Sequence, residues 1–318
     1  MREKRESIEK QIVKAKGGRS WIHDLRMNKA LYFLTIPIVL YFIVFSYAPM
    51  FGLVIAFQDY KPSRGILGSN FVGLKNFINF FTGPNFLTIL RNTFAINALS
   101  LLISFPLTIV FALLLNEIRL LKFKKTVQTI SYMPYFISMV VICGLVIEFC
   151  ATNGVITNLL VNIFGIQRVN LLQDPKYFWW INLFSDIWQG LGYGSIIYIS
   201  AISAVSHEMY EAAAIDGAGR FKRCMNITLP SITPTIVTML VLKCGLMMSV
   251  GGDKILLLYN SSIYSTADVI STHVQRMGIE NMQYGYSAAV GLFNSIVGTS
   301  LLLISNTLSR KLADTSIV

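Results

Sequence analysis

The chain has 318 residues, of which 54% are hydrophobic and only 14% charged, and its mean hydropathy is +0.58. A soluble domain carries about 25% charged residues, so a soluble globular class is excluded and a polytopic membrane protein is expected. The net charge of +11 does not point to nucleic acid, because nine basic residues (Arg2, Lys4, Arg5, Lys10, Lys14, Lys16, Arg19, Arg26 and Lys29) crowd the N-terminal tail, where they hold a flank in the cytoplasm and attract anionic lipid.

In chain order, residues 1–29 form this basic tail, a candidate helix on the membrane surface. Residues 30–57 contain no charged residue. A run of about 20 apolar residues crosses the hydrocarbon core, and this one follows a long polar tail without a small-residue cleavage site. It reads as a retained first span rather than a signal peptide. An extracytoplasmic segment, 58–86, follows. Its stretch FVGLKNFINFF, residues 71–81, fits either a short interfacial helix or a loop packed on neighbouring spans. Further spans are expected at 87–116, 127–150, 178–204, 231–250 and 286–309, giving an all-α bundle of about six transmembrane helices. The core is placed at 87–312, with a short tail at 313–318. Tyr177, Phe178, Trp179 and Trp180 open the fourth span as an aromatic belt. Cys143, Cys150, Cys224 and Cys244 lack zinc-like spacing and read as small hydrophobes.

Charge asymmetry sets the orientation. With the N-terminus inside, the four cytoplasmic segments (1–29, 117–126, 205–230 and 310–318) hold 9, 4, 3 and 2 Lys and Arg. The three outer segments (58–91, 151–177 and 251–285) hold 4, 2 and 2. That excess inside matches the positive-inside rule. Both termini are then cytoplasmic, and so is the polar loop 205–230.

That loop, EAAAIDGAGRFKRCMNITLP over 211–230, is the most informative stretch. Residues 207–215 are mostly good helix formers. Gly217 and Gly219 supply permissive backbone where that helix ends. A second short helix is expected over 221–228, with Pro230 separating it from the fifth span. Small alanines allow close approach of another surface, and Glu211 and Asp216 offer acceptors.

Glu211, Ala212 and Ala213, then Asp216, Gly217 and Ala218, then Ile227, Leu229 and Pro230 resemble the EAA loop of bacterial ABC import permeases. NFVGLKNF (70–77), the stretch 91–117, SYMPYFIS (131–138), the stretch 186–205, TADVISTHVQRMGI (266–279) and YSAAVGLFNSIVG (286–298) are similar to its carbohydrate-uptake branch. The last two resemble the permeases of lipoprotein and complex-polysaccharide transport. The likeness spans roughly residues 30–312. It implies a type I importer fold and a pairing with a second homologous permease. It also implies docking of an ABC ATPase dimer on the EAA loops, and delivery of an oligosaccharide by an extracytoplasmic solute-binding protein. The chain has no GxxxxGK[ST] phosphate loop, so ATP and Mg are expected on the ATPase and no cofactor or metal on this chain.

Charges within spans cost about 2.5–3.5 kcal/mol each on insertion scales, which makes them candidates for the substrate path. Glu148, Asp186 and Lys243 are of this kind. Asp186, Trp188, Gln189 and Tyr193 would combine aromatic faces with hydrogen-bonding groups on one side of a helix. The alternative is that these charges pair within the bundle or, for Glu148, reach outward. Asp253 and Lys254 follow Gly251 and Gly252 where the fifth span exits. The resemblance leads one to expect an aromatic-acidic pair there, and this chain has Gly252 in place of the aromatic.

A membrane-embedded enzyme is disfavoured. His23, His207 and His273 lie in separate segments, and neither HExxH nor GxSxG occurs. A channel or secondary transporter carries its selectivity apparatus or repeats within one chain, and neither is found. Peptide and amino-acid importers share the EAA element, so another solute stays open.

Overall fold

The computed structural model describes residues 27–248 and 252–313. Nearly all of the basic tail and residues 314–318 lie outside the described residues. The chain divides into two units, Met1–Val54 and Ile55–Val318.

The first unit holds most of α1, Lys29–Phe57, which passes from α-helix through a wide π-turn at Ile43–Tyr47 into a 3-10 segment at Ala48–Phe57. In the second unit two short strands, β1 (Gln58–Asp59) and β2 (Asn70–Phe71), pair antiparallel. The helices follow: α2 (Lys75–Phe81), α3 (Phe86–Glu117), α4 (Leu121–Tyr132), α5 (Met139–Cys150), α6 (Val155–Phe164) and α7 (Pro175–Ser203). After these come α8 (His207–Ile215), α9 (Arg220–Gly245), α10 (Gly252–Leu258), α11 (Ile270–Gln275) and α12 (Tyr284–Ala313), with one-turn helices unlabelled.

Among the described residues five helical stretches are long and apolar enough to cross a membrane: α1, α3, α5 with α6, α9 and α12. The fourth expected span, α7, has 29 residues but is not among the five. Asn182, Asp186, Gln189 and three glycines dilute its apolar character.

Two boundaries differ from the sequence reading. The run 127–150 is not one helix. Pro134 sits in a 3-10 turn, and Ser138 caps a new helix by accepting from the Val141 amide at 3.4 Å. The residues before Ser138 therefore belong to α4 and that turn. Pro230 does not separate two helices either, because α9 runs through it. A π-turn at Cys224–Thr228 precedes it, and Leu229 N–H donates to the carbonyl of Cys224, five residues back. The widened turn relieves the clash a proline ring makes with the carbonyl four residues back. Pro49 and Pro106 each follow a π-turn in the same way.

Close helix approaches rest on glycine, as in other membrane bundles. A Cβ on Gly245 of α9 would meet the Leu302 side chain of α12, and one on Gly298 would come within 3.2 Å of the Gly245 carbonyl. A Cβ on Gly192 of α7 would collide with the Ser131 backbone of α4. The stretch 71–81 combines the two readings: α2 is a short helix, and it packs on α12 with Phe80 buried beside Phe293. The aromatic belt is likewise structural, since Phe178 is buried and Trp179 Nε1–H donates to the Thr266 carbonyl at 2.8 Å.

Candidate functional site

The loop 205–230 is built on local capping. The Ser206 hydroxyl accepts from the Glu208 amide at 3.3 Å and opens α8. Glu208 in the first turn complements the helix dipole. At the other end Gly217 has φ +73°, Gly217 N–H donates to Ala214 at 3.1 Å, and Ala218 N–H donates to Ala213 at 2.8 Å. This pair of bonds is a Schellman closure, which needs a left-handed residue at the position glycine occupies. Tyr210 Oη and Thr228 Oγ1 lie 2.9 Å apart and tie α8 to the π-turn of α9.

The loop has two sides. Leu229 packs with Ile202, Val205 and Ile232 on a buried cluster that reaches Phe105 and Tyr198, and Thr228 is buried. Ile227 is half-buried, and Ala213 and Ala218 are partly covered. Glu211, Ala212, Asp216, Gly217 and Pro230 are exposed. So are two large apolar residues, Ile215 and Phe221, at 87% and 80%. A rigid base thus presents a face that mixes small, acidic and bulky apolar groups. Such a face suits docking by a partner.

The in-span charges separate in the structure. Asp186, midway along α7, pairs with Lys254 of α10, Nζ to Oδ1 at 2.5 Å. Asn182 Nδ2 donates to the other carboxylate oxygen at 3.2 Å, and Lys254 Nζ also reaches the Asn182 carbonyl at 3.5 Å. The Lys254 side chain is 4% exposed and that of Asp186 36%, so the carboxylate alone faces open space. Tyr193, two turns further on, stacks on Tyr135 with ring centroids 3.8 Å apart, with Phe136 edge-on. The close approach at Gly192 allows that stack. Trp188 is exposed and Gln189 half-buried. Lys243 has no ion-pair partner among the described residues. Glu148 is exposed near the end of α5 with no side-chain partner among the described residues.

Lys254 was noted in the sequence beside Asp253 but was given no partner there. The only signal was a lysine in the first turn of an apolar run after Gly251 and Gly252. A second polar cluster also went unread. Asp268 receives both Arg276 guanidinium nitrogens, at 3.0 and 2.5 Å. Arg276 donates to His273 Nδ1 at 3.3 Å, and His273 Nε2 lies 3.0 Å from Tyr286 Oη. Because arginine only donates, Nδ1 must accept and Nε2 carries the proton. Burial, aided by the Arg276 charge and opposed by Asp268, pushes the imidazole below its ordinary pKa.

Residues 104–314 match the family described as the binding-protein-dependent transport system inner membrane component. The chain belongs to this family. It is therefore a membrane-embedded transport component. It is 40% identical to the polygalacturonan/rhamnogalacturonan transport system permease protein YteP of Bacillus subtilis (strain 168), over 98% of this chain and 97% of that one. Identity to protein LplB of the same organism is also 40%, over 94% of each. Among solved structures, a chain of a bacterial alginate ABC transporter, in complex with an alginate pentasaccharide-bound periplasmic protein, superposes with a TM-score of 0.86. That chain is 37% identical, with coverage of 94% of this chain and 100% of that chain. The family match takes in the whole loop 205–230 and the Asp186–Lys254 pair.

Proposed function

We propose that this chain is one of two permease subunits of an ATP-driven importer of oligosaccharides or polysaccharide fragments. The Schellman-closed loop 205–230 carries the reading. Its exposed face (Glu211, Ala212, Asp216, Gly217, Pro230) is the socket for a separate ATPase, and Ala213, Ala218, Ile227 and Leu229 hold its base to the bundle. Both termini and this loop face the cytoplasm, and a solute-binding protein delivers substrate outside. ATP binding closes the ATPase dimer, moves both permeases' loops and switches the cavity between them from inward- to outward-facing.

The substrate path runs beside Asp186, Trp188, Gln189 and Tyr193, with Lys243 and Glu148 further along it. Acidic saccharides fit best. The relatives' names point to polygalacturonan and alginate. The test is reconstitution of the assembly that co-purifies with this chain, followed by uptake of labelled oligogalacturonides and neutral oligosaccharides of equal length. ATP-dependent uptake of the acidic set is expected. Uptake of peptides instead, or uptake without ATP, contradicts the reading.

A further inference from the structure

A cavity of about 470 Å³ lies at the base of the coupling loop. Four elements wall it, the end of α7 among them with Ile202 and Ser203. The end of α3 and the turn after it bring Glu117 and Arg119, α8 brings His207 and Tyr210, and the first turn of α9 brings Arg220 and Arg223. Three guanidinium groups therefore face one carboxylate. Glu117 Oε2 stands 3.9 Å from Arg220 Nε, beyond hydrogen-bond length. Arg119 and Arg223 have no ion-pair partner among the described residues. The excess charge is thus uncompensated among the described residues.

We infer that this cavity binds a phosphate group. Planar guanidinium forks match phosphate oxygens bidentately, and Arg119, Arg220 and Arg223 converge from two elements. The Tyr210 hydroxyl, already paired with Thr228, and the His207 ring complete a polar lining. The phosphate comes from an anionic lipid headgroup or from a soluble phosphate ester. The sequence next to the lining favours the lipid: Leu120 and Leu121 follow Arg119, Phe221 follows Arg220, and all three are more than 70% exposed, apolar groups that an acyl chain can contact. A bound phosphate bridges α3 to both arms of the loop, so it stiffens the loop's base. That consequence, though not the binding itself, rests on the coupling role proposed above.

The experiment uses the assembly purified through a tag on this chain and placed in phosphatidylcholine nanodiscs. One arm adds phosphatidylglycerol to the discs. The other titrates glycerol phosphate into the phosphatidylcholine discs. Retained phosphorus, thermal stability and ATPase rate are read for the wild type, Arg119→Gln and Arg119→Gln/Arg223→Gln. Binding of one probe, with a raised unfolding temperature, is expected, and each lost arginine should weaken it about tenfold. A response to phosphatidylglycerol alone names the lipid, and a response to glycerol phosphate names the soluble ester. Should the double variant fail to accumulate, Arg119→Gln, which lies outside α8 and α9, carries the test. Binding without any change in ATPase rate upholds the site and counts instead against the coupling role. Equal binding by wild type and variants, or none by either probe, overturns the inference. So does loss of the ATPase from the double variant in phosphatidylcholine alone, which would assign the arginines to a carboxylate of the partner.

Discussion

Lys254 and Asp186 show how a charge is kept within a bundle. Their polar partners come from α7 and α10, whose sequence positions are 68 residues apart, and the ammonium is the more deeply buried of the two. Removing one member of such a pair strands the other. Lys254→Met is expected to cost about 3 kcal/mol, read as a fall in the unfolding temperature of the detergent-solubilised assembly. Asp186→Asn combined with Lys254→Met should recover most of that loss. Equal effects of the single and double changes would show that the pair does not act as a unit. His273 sets a pH dependence of opposite character. The groups facing it are Asp268, Arg276 and Tyr286. Its pKa is lowered in the folded state, so the unfolded chain binds the proton first as pH falls. Its contribution is full above the ordinary value, near 6.5, and declines below it toward the lowered folded value. Thermal stability should drop between pH 7 and pH 5, and His273→Gln should flatten that slope. A slope unchanged by the substitution would place the titration elsewhere.

At the scale of elements, glycine positions control the two functional regions. Gly217 closes α8 in a left-handed conformation, and Gly217→Val should cost about 1–2 kcal/mol locally and loosen the docking face. Weaker retention of the ATPase on the tagged chain, with normal membrane insertion, is the expected readout. Gly192→Val drives a side chain into the Ser131 backbone, and overpacking of this kind costs about 1–3 kcal/mol. It should separate Tyr135 from Tyr193 and change uptake before it changes ATPase binding. How much was legible in the sequence follows from how local each signal is. The bounds of α8 could be read because Ser206 and Gly217 are its own caps. The third span could not, since an unbroken apolar run concealed the Pro134 turn and the Ser138 cap. Pro230 was read as a break because proline lacks an N–H, whereas a π-turn ahead of it absorbs the ring and keeps α9 continuous. Lys254 was given no partner because Asp186 lies on another helix, and the cavity at Arg119 was missed because three separate segments wall it.

For the whole molecule, the proposed function makes one claim: this chain transmits work done elsewhere. Glu211 sits on the exposed face of α8, where reversing its charge should abolish transport without preventing insertion. The most direct measurement is a mild-detergent pull-down of the tagged chain from its native membrane, alongside Glu211→Lys, with co-purifying proteins identified. The account predicts a second homologous permease and a phosphate-loop ATPase with the wild type, and loss of the ATPase but not the permease with Glu211→Lys. Recovery of the chain alone, with no ATPase even after crosslinking at residues 211–230, would contradict it and point to a self-sufficient transporter.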